Sequence, residues 1–567
     1  MELVQECTYQ SLDLDEACVR LTNHADVTDL WLYTLSSDCH QCPYTRGADL
    51  SVSRSLSAKV DTATSQSWRI VKTTHGEPYI SASINNGTYC QISPEIGEYG
   101  RYELAVRPNA TCDFTVLEKA GNPYTPLIMA LVLVIILLWS LSAWKTLRRR
   151  RRDSARHRGT GGRDNKDETD GGGGKATDGT ADKRVRSLDA VRGASILLMI
   201  FVNNGAGGYR HLEHATWDGL YVGDLVFPCF MWIMGVCIPL SASSALSRGT
   251  SKLALSWAIL KRSFYLFFIG VSLNTLANTQ LEDIRVFGVL QRFSVAYLVA
   301  ATVHTLAFRP NTATKWKGSS LADVMVMLPE WVVAFLVLAA HCLIVLRLPV
   351  PDCPNGYFGP GGLHADGKYW NCTGGATGYL DRILLGERHV YRHPTASGVY
   401  ASGAFDPEGV VGCLPSIFQV FLGMHAGQIL KAHRAWKARL LRWLSWAVVY
   451  GLVAGALHYT GAIPINKNLW SLSFVMITTC FNLGLLSVFY LAIDVTGAWQ
   501  GGPFRIPGMN ALVMYTGHQV LWSMFPFHWK IGRMNSHALL LTESIWCVGL
   551  WTLVAYVLHR KKIYVRL

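Results

Sequence analysis

Charge is what this chain has little of. Only 16% of its 567 residues are Asp, Glu, Lys or Arg, where soluble domains carry about a quarter. Half of the residues are hydrophobic, so the chain lacks the polar cover that an ordinary soluble globular protein needs. A GxxxxGK[ST] phosphate cradle and an HExxH pair are also missing. Neither a P-loop site nor a zinc hydrolase site follows, and no metal is expected. No signal peptide stands at Met1. Translocating a domain ahead of a first span normally needs one, so it is expected to have been removed or to lie outside this sequence.

The apolar residues are gathered into runs. Pro126 to Trp144 carries no charge and is long enough to cross a hydrocarbon core of about 30 Å. Comparable runs follow near 190–207, 222–242, 254–275, 287–308, 324–346, 409–430, 439–459, 469–494, 508–526 and 540–558. The reading is an α-helical polytopic membrane protein of about eleven spans. The formal charge of +13 is uneven: Lys145 to Arg186 holds fourteen basic and seven acidic residues, a net of 14 − 7 = +7. A basic cluster beside a span stays in the cytoplasm and attracts anionic lipid. With no interleaved aromatic residues and a span adjoining, it does not read as a nucleic-acid site. The loops that then fall on the cytoplasmic side carry Arg248 and Lys252, Arg309, Lys315 and Lys317, Lys431 to Arg442, Arg505, and Arg560 to Arg566. Positive charge is therefore inside throughout, with the N-terminus luminal and the C-terminus cytosolic.

Residues 1–122 alternate apolar and polar positions in short runs such as Trp68 to Lys72 and Tyr102 to Val106, the pattern of a small β-rich domain. Cys7, Cys18, Cys39, Cys42, Cys90 and Cys112 fall there and suggest a disulfide framework. For the Cys39/Cys42 CxxC, a structural disulfide is preferred to redox or zinc chemistry. Sequons at Asn86, Asn109 and Asn371 lie on the same side and suit glycosylation. The expected domains are 1–122, the first helix at 123–145, a disordered basic linker at 146–184, and ten helices over 185–567 with a luminal loop at 347–408.

Polar residues recur at a common outer depth: Asn203, His214, Asp218, Asp224, Arg292, Asn466, Lys467, Asn468, Trp470 and His518. Ionisable groups near membrane depth are costly and invite a functional reading. The alternative is that they hydrogen-bond helix to helix, and that Trp470 is an interfacial anchor. At the opposite end Arg186 and Arg192 suit a phosphorylated ligand, or serve only to set topology.

The motifs RSLDAVRG (from Arg186), HATWDGL (from His214), DLVFP (from Asp224), GVLQR (from Gly288), GYFGPGG (from Gly356), NCTGG (from Asn371), DPEG (from Asp406), NKNLWSLS (from Asn466) and PGMN (from Pro507) occur in that order. Together they resemble the heparan-α-glucosaminide N-acetyltransferase family over about Arg184 to Leu567. The linker is longer and more charged than that family leads one to expect. The resemblance implies transfer of the acetyl group of cytosolic acetyl-CoA to the free amine of a terminal glucosamine of heparan sulfate, in the lysosomal membrane and as a homodimer. It places the active-site histidine at His214 and an accompanying asparagine at Asn203. Arg186, Arg192 and Asn510 are assigned to acetyl-CoA, and Asp218, Arg292, Lys467, Asn468, Trp470 and His518 to the sugar. Cys353 and Cys372 are expected to close a disulfide in the loop over the outer mouth.

Amine attack on a thioester needs an unprotonated amine, and an imidazole is suited to take that proton. An acidic lumen would charge an ordinary histidine, so the site should depress the pKa of His214 by burial or by Arg292 or Lys467. Asn203 is expected to donate to the oxyanion or to orient the ring. Direct transfer and an acetyl-histidine intermediate both remain open. Rival readings are a secondary transporter, an acyltransferase for another glycan, and a receptor with a passive bundle.

Overall fold

A computed structural model describes the chain except for residues 5–6, 26, 51–54, 84–86, 160–184, 277–278, 310–318, 320–321 and 566–567. The N-terminal part is a β-sandwich. One sheet has the order β1 (Glu2–Val4), β5 (Ser55–Asp61), β2 (Glu16–Asn23), β9 (Arg101–Arg107), β10 (Thr111–Glu118). The other has the order β7 (Tyr79–Ile80), β4 (Tyr44–Asp49), β3 (Leu30–Ser36), β6 (Gln66–Lys72), β8 (Thr88–Ile92). Every pairing is antiparallel except β2 with β9, where Leu21 lies opposite Leu104. Alternate residues on each strand face inward. Ala17, Val19 and Leu21 of β2 and Tyr102, Leu104 and Val106 of β9 therefore meet Leu30, Leu32, Trp68 and Ile70 of the opposite sheet in one buried core. Disulfides join Cys7 to Cys18, Cys39 to Cys42, and Cys90 on β8 to Cys112 on β10. The last crosses from sheet to sheet.

Helix α1 (Thr125–Gly159) belongs to a separate unit, Asn122–Val185. It runs on past the apolar segment into Arg148 to Arg152 and as far as Gly159, where disorder was expected from residue 146. Lys and Arg are good helix formers once a helix has been nucleated. The rest of the expected linker, with Arg184, lies outside the described residues.

The sandwich forms one compact unit with the helices from Arg186 onward. Those of ten residues or more are α2 (Arg186–Asn203), α3 (Val226–Ser247), α4 (Lys252–Asn274), α5 (Val289–Ala307), α6 (Leu328–Arg347), α7 (Gly375–Leu385), α8 (Cys413–Ala432), α9 (Trp436–Tyr459), α10 (Leu472–Tyr490), α11 (Ala511–Val520) and α12 (His537–Arg560). Among the described residues eight helices are long and apolar enough to cross a membrane: α3 (with the turn before it), α4, α5, α6, α8, α9, α10 (with the turn after it) and α12. The chain is thus a polytopic membrane protein with an N-terminal β domain. The other three expected spans are helical too. The first lies within α1, the second is α2, and the tenth is only the short α11.

Helix α8 is buried along almost its whole length and packs most heavily on α3. A Cβ on Gly423 would stand 2.1 Å from the carbonyl oxygen of Trp232, and one on Gly235 2.2 Å from that of Val420. Glycine at the crossing lets the two backbones touch, which is how helices associate where lipid supplies no hydrophobic drive. Helices α4, α6 and α9 instead expose Trp257, Phe264, Phe335, Leu336, Leu444 and Leu452, as lipid-facing helices do. The loop between α6 and α8 carries the Cys353–Cys372 disulfide and α7.

Candidate active site

Two loops meet where α2 ends and α3 and α10 begin. The first, His214 to Leu225, leads into α3; the second, Asn466 to Ser471, leads into α10. Asn466 Nδ2 donates to Asp218 Oδ1 at 3.0 Å, and Asn468 Nδ2 donates to the carbonyl of Thr216 at 3.3 Å. The Gly219 amide donates to the carbonyl of Ile465 at 2.8 Å. This pairing fixes Lys467 over His214.

Asp224 is fully buried. Its Oδ2 accepts the amides of Ala215 (3.1 Å) and Tyr221 (2.9 Å), and its Oδ1 lies 3.0 Å from His214 Nδ1. A carboxylate tied down by two amides is a rigid acceptor, and it shares Nδ1 with the Lys467 ammonium: a protonated Nδ1 donates to Asp224, an unprotonated one accepts from Lys467. No described residue hydrogen-bonds to Nε2. Lys467 Nζ stands 2.9 Å from His214 Nδ1 and 3.5 Å from Asp224 Oδ1. Gly223 closes the turn: a Cβ there would stand 2.8 Å from His214 Nδ1 and 2.5 Å from the carbonyl of Glu213. His214 keeps about a third of its side chain exposed. Burial and the Lys467 ammonium lower its pKa below the usual value, against the opposing pull of Asp224 and Glu408.

The DPEG segment flanks the ring with charge. Arg285 clamps Asp406 at 2.6 and 2.8 Å and Glu408 at 2.5 Å. Burial alone would raise the Glu408 carboxyl, but Arg285, Arg292 and Lys467 together draw it below the usual range. Burial pushes Asp381, on α7, up to about 7.

The sandwich reaches this site with its CxxC tip. Thr216 donates to Asp38 Oδ2 at 3.0 Å, Arg210 is ion-paired to Asp38, and Tyr400 donates to the carbonyl of Asp38 at 2.8 Å. Cys39 and Cys42 share an apolar cluster with Trp217, Leu363, Tyr400, Phe405 and Leu469.

Not all expected site residues gather at His214. Asn203 Nδ2 is bonded to His518 Nε2 at 2.9 Å, so this pair forms its own contact between α2 and α11. No described contact joins Asn203 to the His214 ring. Trp470 is buried, with Nε1 donating to Gln419 Oε1 at 3.1 Å and Phe227 and Phe474 against its ring. Its faces are closed to a sugar because protein already covers them. Arg292 is also buried, stacked over Trp470 at 4.9 Å and donating to the carbonyl of Gly409 at 3.1 Å. It acts on the site as buried charge beneath the surface. Asn109 and Asn371 are exposed, Asn371 beside a disulfide-bonded cysteine; Asn86 lies outside the described residues.

Residues 184–354 match a family described as heparan-α-glucosaminide N-acetyltransferase, catalytic. The heparan-α-glucosaminide N-acetyltransferase of Mus musculus is 36% identical over 587 aligned positions, covering 98% of this chain and 89% of the relative. That of Homo sapiens is 37% identical over 592, covering 98% and 88%. The chain belongs to the heparan-α-glucosaminide N-acetyltransferase family.

The far end of α2, at Arg186, is about 26 Å from Asn203 at the rise of an α-helix. There Asp494, in the turn after α10, caps α2 by accepting the amides of Arg186 (3.1 Å) and Ser187 (3.0 Å). The Arg186 side chain is exposed. Arg192 is already engaged, 3.6 Å from Asp189 and donating to the carbonyl of Gly508 at 3.4 Å. Asn510 holds the C-terminal segment: Nδ2 donates to the carbonyl of Ile563 at 3.0 Å, and Oδ1 accepts the amide of Val565 at 3.2 Å. Asp224 and Asn466 stood out in the sequence only as members of the outer polar group, with no specific role, and Glu408 only within the DPEG motif. Asp224 had a signal, an acid opening an apolar run.

Proposed function

We propose that this chain is a transmembrane acetyltransferase of the lysosomal membrane. It moves the acetyl group of cytosolic acetyl-CoA to the free amine of a terminal glucosamine of heparan sulfate, a step in degrading that polymer. The observation that carries this is the Asp224–His214–Lys467 arrangement in a chain of this family. In this reading Nδ1 donates to Asp224 while Lys467 pairs with the same carboxylate, so Nε2 carries the lone pair; His214 takes the proton of the acceptor amine as nitrogen attacks the thioester carbonyl, the C–S bond breaks, and the departing CoA thiolate is protonated by the imidazolium so formed. Lys467 disfavours the imidazolium, which keeps the base unprotonated in an acidic compartment. Arg186 offers its free guanidinium to the phosphates at the cytosolic end, and Arg192 supports it from the same helix. Asn510 holds the C-terminal segment beside them. Asn203 acts through His518, and the sugar contacts Asp218, Lys467 and Asn468 at the loop pairing. The N-terminal domain is luminal, the C-terminus cytosolic, and the working unit a homodimer.

The experiment is purified full chain with labelled acetyl-CoA and glucosamine, then the same chain in sealed vesicles with donor and acceptor on opposite sides. Labelled N-acetylglucosamine in both formats is the expected result. Uptake of glucosamine without acetylation would mean a transporter, and double-displacement kinetics would replace direct transfer by an acetyl-histidine intermediate.

A further inference from the structure

His537, at the first position of α12, is buried, stacked on Tyr209 with ring centroids 4.4 Å apart. Its Nδ1 lies 3.0 Å from the carbonyl oxygen of Gly207. A carbonyl only accepts, so Nδ1 carries the proton there. The lone pair of the neutral ring is then on Nε2, which makes no hydrogen bond among the described residues. Facing it are two acceptors, Asp15 Oδ1 at 3.4 Å and Glu98 Oε2 at 3.5 Å. The other oxygen of Glu98 is occupied, accepting the Asp15 amide at 3.3 Å. Three lone-pair atoms, all within 4.8 Å of one another, point at one another with no donor between them. Such a group needs either a proton on Nε2 or a cation at its centre.

We propose that Asp15, Glu98 and His537 form a binding site for a divalent cation of the zinc class. Zinc bonds to imidazole nitrogen and carboxylate oxygen at about 2.0–2.2 Å, so neighbouring ligands of a tetrahedral ion stand about 3.4 Å apart. The two distances from Nε2 match that edge and are long for charge-assisted hydrogen bonds. The Nδ1–H···O=C contact with Gly207 is the outer-shell bond that metal-bound histidines make. Asp15 is only partly buried, which leaves a path for the ion and room for water as fourth ligand. Two ligands come from the β-sandwich and one from α12, while Gly207 and Tyr209 belong to the loop between α2 and His214. The ion therefore ties three parts of the fold together and steadies the strand of chain that carries the catalytic ring. Positions 15, 98 and 537 are too far apart in sequence to form a motif.

The test uses the full chain in detergent, stripped with a chelator and titrated with zinc chloride, bound metal being counted by mass spectrometry. One saturable equivalent is expected, with an X-ray absorption shell of nitrogen and oxygen at about 2.0–2.2 Å. Glu98→Gln and His537→Gln should each weaken it at least tenfold, on the order of losses at metal sites. Since His537→Gln also disturbs packing on Tyr209, Glu98→Gln decides, with its zinc-free unfolding midpoint checked against the parent. No saturable equivalent, or unchanged affinity in a folded Glu98→Gln, overturns the proposal. So does stability that follows pH alone and ignores zinc, since a proton would then be the occupant.

Discussion

The two ends of helix α2 solve opposite problems. At the Asn203 end, chemistry is built from buried groups with fixed partners. Asp224 is locked by two amides before it meets His214, and the ring is held between a carboxylate and an ammonium. At the Arg186 end the helix is capped through backbone amides alone, leaving the guanidinium of Arg186 exposed. One end is preorganised and the other is left open, which under the proposed function suits a ligand that arrives carrying its own charge. Buried polar networks are costly to break and rigid once made, whereas an exposed arginine is inexpensive to hold and finds phosphate by reach and charge.

That contrast is broken most severely at the reactive end. His214→Ala should cut acetylation by about 10²–10⁴-fold, the contribution of a general base, measured on purified chain with both substrates saturating. A near-normal rate would remove the ring from the mechanism. Asp224→Asn should act on activity to a similar degree, because an amide cannot hold Nδ1–H in the same way. It should also destabilise the fold by about 3–5 kcal/mol, since Lys467 and the histidine lose a buried partner; the unfolding midpoint reads that part separately. At the open end, Arg186→Ala with Arg192→Ala should raise the KM for acetyl-CoA by about tenfold to a hundredfold with kcat nearly unchanged, the loss of one or two charge-assisted bonds. An equal fall in kcat would place these residues in the reaction itself.

Smaller effects sharpen the comparison. The groups that face His214 are Asp224, Lys467 and Glu408. Burial and Lys467 lower its pKa, so the base is lost only below a depressed value as pH falls. Lys467→Met removes one of the two lowering causes, so the acidic limb of kcat/KM should move to higher pH. A limb that stays in place would assign the depression to burial alone. Trp470→Phe, buried and away from solvent, should leave the KM for the sugar nearly unchanged and lower stability by about 1–3 kcal/mol through the bond lost at Gln419.

Much of this was legible in the chain itself. The period-two runs of β6 and β9 announced inward-facing strands, and scarce charge with long apolar segments announced a membrane bundle. The nine ordered motifs carried the family. Trp470 and Arg292 misled because an aromatic or a guanidinium at the outer end of a span looks the same in sequence whether it faces a sugar or lies beneath it. Asn203 was expected to serve His214, yet α11 brings His518 to it instead, a matter of which helix packs beside α2.

Composition and pattern, then, determined what is local: which segments are strands, which are helices, and which residue types can accept a proton or hold a phosphate. Pairing of distant positions was decided only by the fold. Lys467 stands over His214, and the CxxC tip of the sandwich lies on Tyr400, because loops far apart in the chain are clamped by backbone and amide hydrogen bonds such as Asn466 to Asp218. Side-chain chemistry is written residue by residue, but its partners are set by packing, which depends on every element at once.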